Sequence, residues 1–367
     1  MAGTVSILQT PPSAQHNALE SNEEEIREKA VSSTVNDLVP ILSHSGSLTN
    51  TAMETRTASR TTTTTSTSCP IRVISFDLDN TLWCTMSTIG AGLDAVDAFL
   101  RNEHSIELAV RTETVMKEMF LAQKSAYAPL LGDEATCPSQ LTQLRIDALS
   151  FILHTHHGKT TSEALDLATQ AFHVMSRARH EAIPQHMASR VVETLEQIRN
   201  RLGQDVKIGA ITDGNADPRN VAALEPYFDF VIQAEAVGVG KPHPHIFARA
   251  IREVVKDNKD GCVDPSWVHI GDDFAKDIVG AKQVGMRTIW CREFIQSKIL
   301  NEKIKPVLHK DLSSGWGAST SCSENAEKDM ASRDTQLACA DATVDRFADI
   351  VQLLELWASQ ARENGHP

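Results

Sequence analysis

The chain of 367 residues contains no run of apolar residues long enough to cross a bilayer, which takes about 18 consecutive apolar positions. It also lacks an excess of basic residues. Its formal net charge is -13, whereas proteins that bind nucleic acid through the backbone carry a basic surface. We therefore expect neither a membrane nor a nucleic-acid partner. Hydrophobic residues make up 41% of the chain and charged residues 23%, which is typical of a folded globular protein.

The cysteine pattern excludes two further kinds of structure. Seven cysteines are present, an odd number, and none forms a Cys-x-x-Cys pair: Cys69, Cys84, Cys137, Cys262, Cys291, Cys322 and Cys339. Zinc sites and disulfide frameworks have paired spacings, which are missing from this sequence. We expect reduced thiols in an intracellular protein.

Apolar periodicity is scarce in two segments. Residues 1–69 end in a stretch rich in serine and threonine, and residues 311–336 are rich in serine and small polar residues. Such compositions bury too little apolar surface to offset the entropy lost on ordering, so both segments are predicted to be disordered. No apolar segment follows a basic start, and residues 23–25 are all glutamate, unlike a transit peptide. We expect a cytoplasmic protein, with organelle targeting by the tail as the alternative.

Strands and helices alternate through the rest of the sequence. Five β-rich apolar runs are predicted as strands: 71–76, 206–211, 228–233, 267–270 and 287–291. One helical stripe covers 191–202 and ends at Gly203, another starts near Pro242, and residues 86–187 are predicted to be helical. The pattern predicts an α/β fold, with a Rossmann-like parallel sheet formed by 70–85 and 188–310 and a helical insertion at 86–187. A last strand and helix are expected within 337–367.

The first predicted strand ends in a pair of carboxylates. Asp77 and Asp79 directly follow the apolar run, and Thr81 comes two residues later. In open α/β sheets, ligands bind at the carboxyl ends of the strands. Two carboxylates at this spacing can serve one reacting centre, one as the nucleophile and the other in proton transfer.

Two more strand ends carry groups that bind anions. Thr212, Asp213 and Gly214 follow the second strand, where a hydroxyl and backbone N–H groups can donate to an anion. Lys241 lies in a turn after the third strand and can neutralise charge on a phosphoryl group. The surrounding residues do not match a P-loop, because Glu235 occupies the position of its first glycine.

The fourth strand end is dense in carboxylates. Asp272, Asp273 and Asp277 follow the predicted strand 267–270 within a few residues. Such a cluster beside a buried strand is costly unless a cation neutralises it, and ligands that are all oxygen are typical of Mg²⁺. Helix capping by Asp272 or Asp273 is the alternative for either residue alone.

Together, the order and spacing of these motifs resemble the haloacid dehalogenase (HAD) superfamily. Residues 77–81 look like its D-x-D-x-[TV] motif, Thr212 and Lys241 like its threonine and lysine, and 271–277 like its G-D-x-x-x-x-D motif. The resemblance covers about residues 70 to 292 and resumes near 340 to 357. About 135 residues separate Asp77 from Thr212, which suits a helical cap inserted after the first motif.

The resemblance implies a Mg²⁺-dependent phosphatase that forms an aspartyl-phosphate. Asp77 would attack phosphorus, and Asp79 would protonate the leaving oxygen and then activate water. The metal would be held by Asp77, the backbone carbonyl of Asp79, and Asp272. Asp277 would orient Lys241, and Asp273 would lie either behind the metal ligands or on the metal. The expected phosphate-binding residues are Asp77, Thr212, Asp213, Gly214 and Lys241.

The resemblance also narrows the substrate. Dehalogenases of the superfamily lack an acid two residues after the nucleophile, so Asp79 favours phosphate esters. The stretches 210–218, 227–231, 269–273 and 277–281 look like bacterial enzymes that hydrolyse flavin mononucleotide and 5-amino-6-(5-phospho-D-ribitylamino)uracil. Asp213, where that group usually has asparagine, and the 311–336 insertion depart from this pattern. A nucleotide or sugar phosphate is the alternative substrate.

Other interpretations stay open at this point. The chain could be a catalytically silent module that binds phosphorylated ligands, whereas the large insertion argues against a phosphoprotein phosphatase. Trp83 and Cys84 either contact substrate or pack at the cap hinge. Three histidines, His154, His156 and His157, are expected on a polar face of a cap helix. The expected partner is a small phosphate monoester, and the expected assembly is a monomer or homodimer.

Overall fold

The structure is a computed structural model that describes residues 71–255, 266–295 and 340–363. The segments 1–69 and 311–336, predicted above to be disordered, lie outside the described residues. Within the described ranges, no helix is both long and apolar enough to span a bilayer.

A parallel sheet forms the centre of the described structure. Its strand order is β3-β2-β1-β4-β5-β6, and every neighbouring pair is parallel. β1 and β4 are buried along their whole length, as expected for inner strands covered on both faces. The strands are β1 (Val73–Phe76), β2 (Lys207–Thr212), β3 (Phe230–Gln233), β4 (Trp267–Gly271), β5 (Arg287–Cys291) and β6 (Ala342–Val344).

Helices cover both faces of this sheet. One apolar cluster packs the sheet against α6 and α10, and a second packs it against α8 and α9. This layering is the two-faced α/β arrangement expected from the alternation of strands and helices, which confirms the predicted fold class. The helices of this part are α6 (Val191–Leu202), α7 (Ala234–Val237), α8 (Pro244–Val255), α9 (Gly280–Gln283) and α10 (Ile350–Glu363).

A second group of helices follows β1 and precedes α6. It has its own apolar clusters, one among α1, α4 and α5 and another between α2 and α4, so its packing does not depend on the sheet. We call this group the cap. Its helices are α1 (Thr85–His104), α2 (Thr112–Ala122), α3 (Lys124–Tyr127), α4 (Leu141–His157) and α5 (Thr161–Ala182).

Two chain segments connect the cap to the sheet, and they pair with each other. The Cys84 N–H donates to the His186 carbonyl at 2.9 Å, and the Ala188 N–H donates to the Leu82 carbonyl at 2.8 Å. Trp83 lies between these bonds and is fully buried. The hinge is therefore a short paired ribbon with an aromatic residue packed inside it.

The strand register sets the position of the polar residues. Phe76, the last residue of β1, lies opposite Ala210 of β2 and Ile270 of β4. Residues that follow these positions therefore emerge at the same edge of the sheet. This edge carries Asp77, Thr212 and Asp272.

The five predicted strands are all present, with ends that shift by no more than two residues. The helix expected near Pro242 begins at Pro244, after a turn in which the His243 N–H donates to the Gly240 carbonyl at 3.1 Å. A sixth strand and a helix lie within 340–363. The domain boundaries given above stay predictions.

Candidate active site

Asp77 and Lys241 form the centre of the site. The Lys241 Nζ donates to Asp77 Oδ1 at 2.5 Å and to Asp277 Oδ1 at 2.6 Å. Asp77 is 7% exposed and Lys241 is 4% exposed. Burial lowers the pKa of Lys241, but the carboxylates of Asp277 and Asp77 outweigh burial and hold that pKa well above its usual value. The lysine is therefore a fixed, buried cation beside the expected nucleophile.

The carboxylates outnumber the cation at this centre. Asp77, Asp272 and Asp277 each offer an oxygen, and these three oxygens lie within 4.8 Å of one another. Burial raises the pKa of Asp77 to about 7, against the opposing effect of Lys241. Burial, then Asp77 and Asp277, also raises the pKa of Asp272 well above its usual value. With Lys241 as their neutralising partner, the three carboxylates keep an excess of negative charge.

This donor set fits a divalent cation. It consists of carboxylate oxygens alone, which Mg²⁺ prefers, and it carries the negative charge that a cation would compensate. Both oxygens of Asp277 already accept close hydrogen bonds, Oδ1 from Lys241 and Oδ2 from the Asp273 N–H, so Asp77 and Asp272 are the carboxylates better placed to hold the ion. The Thr81 Oγ1 lies 3.4 Å from Asp77 Oδ2 and 3.3 Å from Asp272 Oδ1, and its hydroxyl can donate to one of them at a time.

A buried chain of hydrogen bonds lies behind Asp277. Because a carboxylate only accepts, the contact of His269 Nε2 with Asp277 Oδ1 at 3.4 Å requires a proton on Nε2. Burial lowers the pKa of His269, so the ring is neutral and its Nδ1 accepts from Ser75 Oγ at 2.8 Å. The Trp267 Nε1–H donates to the same Ser75 Oγ at 2.8 Å. The chain therefore runs in one direction, from Trp267 to Asp277.

The turn after β4 holds Asp277 in place. The Asp273 N–H donates to Asp277 Oδ2 at 2.9 Å, and Asp273 Oδ1 accepts from the N–H groups of Ala275 and Lys276 at 3.0 Å. A Cβ atom at Gly271 would overlap the Asp277 carboxylate, so the strand must end in glycine here. The Asp273 carboxylate thus caps its own turn, while its amide orients Asp277.

The residues after β2 occupy the other side of Asp77. Thr212 is buried, and its Oγ1 accepts from the Gly214 N–H at 3.1 Å. The Asp213 carboxylate has its partners in two other loops. Its Oδ1 accepts from the Lys241 backbone N–H at 2.7 Å, and its Oδ2 lies 3.1 Å from Lys276 Nζ. The Asp213 carboxylate thus joins two neighbouring loops, and a part for Asp213 in phosphate binding stays a prediction.

Asp79 is held by groups that the sequence analysis did not identify. Arg179 of α5 donates from Nη2 to both Asp79 oxygens, at 2.7 and 3.0 Å, and the Trp83 indole donates to Oδ1 at 2.9 Å. A Cβ atom at Gly214 would overlap the Asp79 carboxylate. The cap therefore contributes a cation to the site. Nothing in the local sequence distinguishes Arg179 from Arg177, which is exposed on the same helix.

Further cap residues contact the loops around the site. The Thr142 Oγ1 donates to Glu235 Oε2 at 2.8 Å and accepts from Asn215 Nδ2 at 3.1 Å. Asn215 Oδ1 in turn accepts from Arg179 Nη1 at 2.9 Å, and the Ser139 Oγ donates to the Gly238 carbonyl at 2.9 Å. The cap is therefore docked on the sheet edge through polar contacts.

The remaining candidates from the sequence are the three histidines, Trp83 and the cysteines. His154, His156 and His157 lie at the end of α4, where His154 Nδ1 contacts the Lys159 carbonyl at 2.8 Å. Trp83 packs in the hinge and its indole donates to Asp79, whereas its contact with substrate stays a prediction. Cys84, Cys137 and Cys291 are free thiols in the described residues.

The chain is similar to known hydrolases over most of the sheet and the cap. A model of the haloacid dehalogenase-like hydrolases matches residues 71–285. The 5-amino-6-(5-phospho-D-ribitylamino)uracil phosphatase YigB of Escherichia coli is 25% identical over 224 residues, which are 60% of this chain and 84% of that protein. A glyceraldehyde 3-phosphate phosphatase of Pyrococcus abyssi is 38% identical over 88 residues, 23% of this chain but only 34% of its own length.

A solved structure has a similar fold. A 2-haloacid dehalogenase from Pseudomonas syringae pv. Tomato has a TM-score of 0.55 and 26% identity, and the similarity covers 78% of this chain and 100% of that one. The family model covers more than half of the chain and includes all four motifs. The chain therefore belongs to the haloacid dehalogenase-like hydrolase family, as the motifs predicted.

Proposed function

We propose that the protein is a Mg²⁺-dependent phosphomonoesterase that acts on small phosphate esters through an aspartyl-phosphate. The observation that carries the proposal is the position of Asp77. It lies between a buried ammonium and an acidic cluster that fits a divalent cation, and a second carboxylate follows two residues later. This is the set of groups that covalent phosphoryl transfer needs.

The proposed reaction has two displacements at phosphorus. In the first, an oxygen of Asp77 bonds to phosphorus while the bond to the ester oxygen breaks, and Asp79 donates a proton to that leaving oxygen. In the second, Asp79 removes a proton from a water molecule whose oxygen bonds to phosphorus. The bond between Asp77 and phosphorus then breaks and releases phosphate. General acid–base catalysis of this kind contributes about 10²- to 10⁴-fold to a rate.

The buried charges have defined parts in this reaction. Lys241 lies 2.5 Å from the nucleophile and can neutralise a phosphoryl oxygen without leaving its bond to Asp277. When bound by Asp77 and Asp272, Mg²⁺ supplies further positive charge for the phosphoryl oxygens. The Thr212 hydroxyl, whose oxygen accepts from the Gly214 N–H, can donate its own proton to a phosphoryl oxygen on the opposite side. Asp77 and Thr212 are both buried and so largely shielded from water.

Asp79 also supports phosphatase over dehalogenase chemistry. The Pseudomonas syringae structure is named a 2-haloacid dehalogenase, but its similarity to this chain is one of fold and moderate sequence identity. An alcohol leaving group needs a proton, and a halide does not. Asp79 lies in the site, oriented by Trp83 and Arg179, and in its protonated form it can supply one. Release of halide from 2-chloropropionate, without phosphate release from any ester, would support the dehalogenase instead.

We propose two alternative classes of substrate. The flavin-pathway esters are favoured by the resemblance in the core motifs and by the name of the Escherichia coli relative, which acts on the ribitylaminouracil phosphate. Nucleotides and sugar phosphates are the alternative. A pyrimidine 5'-nucleotidase of Escherichia coli is 34% identical over 96 residues, which are 40% of that protein, and the archaeal relatives act on glyceraldehyde 3-phosphate.

The test is phosphate release from a panel of monoesters, with Mg²⁺ and with a chelator. We expect activity that requires Mg²⁺ and that Asp77→Asn abolishes, because an amide cannot form the aspartyl-phosphate. Circular dichroism of Asp77→Asn controls for folding. Activity of this variant close to wild type would overturn the mechanism. Silence of the wild type on every ester would instead support a module that binds phosphorylated ligands without turning them over.

A further inference from the structure

A cavity lies next to the proposed acid, between the cap and the sheet edge. The enclosed space is small, with room for about one water molecule behind an open mouth, and its walls include Arg145 of α4, Arg179 of α5 and Asn215. Phe172 and Met175 of α5 form an apolar wall. Arg179 joins this cavity to the reacting groups, because the same guanidinium contacts Asp79 at 2.7 Å. A group bound in the cavity would therefore lie beside the leaving oxygen of a substrate.

Both arginines have unused donors. The Nε atoms of Arg145 and Arg179 are inaccessible to solvent and have no hydrogen-bond partner. Arg179 is 5% exposed, so its charge is almost entirely removed from water. A buried donor without a partner costs about 1–3 kcal/mol, and more for a charged group, so two of them in one wall call for an explanation.

The carboxylates near Arg145 do not fully compensate its charge. Glu113 and Glu235 are its acidic neighbours, but burial outweighs them and lowers the pKa of Arg145 to about 10. The guanidinium still carries its charge at neutral pH. Glu235 is also engaged by Thr142, and Glu113 Oε1 is itself buried without a partner. Arg145 is therefore a cation that lines the cavity without a complete counter-charge.

The proposed reaction determines which part of the substrate lies near this cavity. Asp79 must lie next to the leaving oxygen, and Arg179 contacts Asp79, so the carbon skeleton of the leaving group extends toward the two arginines. We infer that Arg145 and Arg179 bind an anionic group, a carboxylate or a second phosphate, on the leaving group of the substrate. This inference rests on the proposed phosphomonoesterase function and specifies its substrate class.

The chemistry of the wall supports an anion over a neutral group. Guanidinium groups bind carboxylate and phosphate through paired, charge-assisted hydrogen bonds, which are about twice as strong as neutral ones. The subsite also discriminates between the two classes above. Flavin mononucleotide and the ribitylaminouracil phosphate carry no anion besides the reacting phosphate, whereas many phosphorylated acids and bisphosphates do. The subsite favours the latter.

The experiment uses substrate pairs that differ only in the second charge. Phosphoglycolate is compared with 2-hydroxyethyl phosphate for the carboxylate, and propane-1,3-diol bisphosphate with the corresponding monophosphate for the phosphate. For the wild type, we expect kcat/KM to favour at least one anionic member by about 10-fold or more, the size expected for a charge-assisted hydrogen bond. Arg145→Gln should reduce that ratio by a similar factor, and Arg145→Lys should reduce it less.

Because each ratio is measured on one preparation, partial misfolding of a variant does not affect it. Arg177→Gln is the matched control, since Arg177 is an exposed arginine on α5, two residues from Arg179. Its ratio should equal that of the wild type. Glu113→Gln tests whether Arg145 only stabilises the cap through Glu113. In that case thermal stability falls in both the Glu113 and Arg145 variants while the substrate ratio stays unchanged, and the inference is wrong.

A binding measurement separates this inference from the proposed function. Calorimetry on Asp77→Asn with Mg²⁺ gives the affinity for each ester without turnover. Preference for the anionic member there, lost in the Asp77→Asn/Arg145→Gln double variant, supports the subsite even if no ester is hydrolysed. Turnover of 2-hydroxyethyl phosphate without any anionic preference would leave the phosphatase intact and reject the subsite.

Discussion

Lys241 and Arg179 are both buried cations that pair with a carboxylate of the same D-x-D motif, but their surroundings differ. Lys241 is bound by Asp77 and Asp277, and Asp277 is held in turn by His269 and the Asp273 amide. All of these groups belong to the sheet and its loops. Arg179 comes from the cap and keeps one donor without a partner.

This difference indicates that the two parts of the site have different roles. On the Lys241 side, the ammonium is held by Asp77 and Asp277 before substrate arrives, which suits a step that is the same for every phosphate ester. On the Arg179 side, the Nε donor of Arg179 has no partner, and this side forms only when the cap is docked on the sheet edge. Variants on the first side should therefore impair all substrates alike, and variants on the second should act through substrate binding.

Of the variants that test this comparison, a substitution of Lys241 should lower activity the most. Lys241→Met removes the ammonium from Asp77 and leaves Asp277 buried without its main partner, so we expect kcat to fall by about 10²- to 10³-fold on every ester. Breaking a buried ion pair also costs about 3–5 kcal/mol of stability, which thermal denaturation would record. Lys207→Met is the control, because Lys207 is an exposed lysine at the start of β2. A loss limited to one ester would contradict the division of tasks.

A smaller effect is expected behind the lysine, at His269. Leucine in place of His269 removes the donor to Asp277, so Lys241 should be less fixed and kcat should fall about tenfold. Glutamine can accept from Ser75 and donate to Asp277, and it should recover most of that loss. Steady-state kinetics on two esters, with inhibition by inorganic phosphate, would measure both variants. Equal losses in the two would point to packing against the Phe247 ring, whose centroid lies 5.4 Å away.

The smallest effect is expected at the cap contact made by Thr142. Valine keeps the shape of Thr142 but removes its bonds to Glu235 and Asn215. At about 0.5 kcal/mol for each of these part-buried bonds, the two together are worth about 1 kcal/mol, so we expect KM to rise by about fivefold with kcat unchanged. Thr155→Val is the matched control, since Thr155 is exposed and bonds only within its own helix. A fall in kcat without a change in KM would show that the cap contact assists chemistry and not binding.

Much of the Lys241 side could be predicted from the sequence because its residues lie in short motifs at strand ends. A parallel sheet brings the ends of its inner strands to one edge, so Asp77, Thr212 and Asp272 could be expected together once their strands were identified. The run of apolar residues in each strand indicates that the strand is buried. For the same reason the predicted strands differ from the observed ones only at their ends.

The Arg179 side could not be predicted in the same way. Arg145 and Arg179 lie on amphipathic helices, where a polar residue at a helical spacing is expected on the exposed face. Whether such a residue faces water or the sheet depends on how the cap docks, and docking is decided by contacts such as Thr142 with Glu235. Likewise, Asp213 lies in a phosphate-binding motif, but its direction depends on the distant Lys241 amide and Lys276.

The sequence by itself determined the fold class, the family and the groups available for phosphoryl chemistry, because these depend on strand patterns and on motifs a few residues long. Only the tertiary structure decided which partner each group has: Asp277 with Lys241, Asp79 with Arg179, and Asp213 with the neighbouring loop. The physical reason is distance along the chain. Partners that are 28 to 100 residues apart meet only after the sheet and the cap have packed, and no local pattern records that packing.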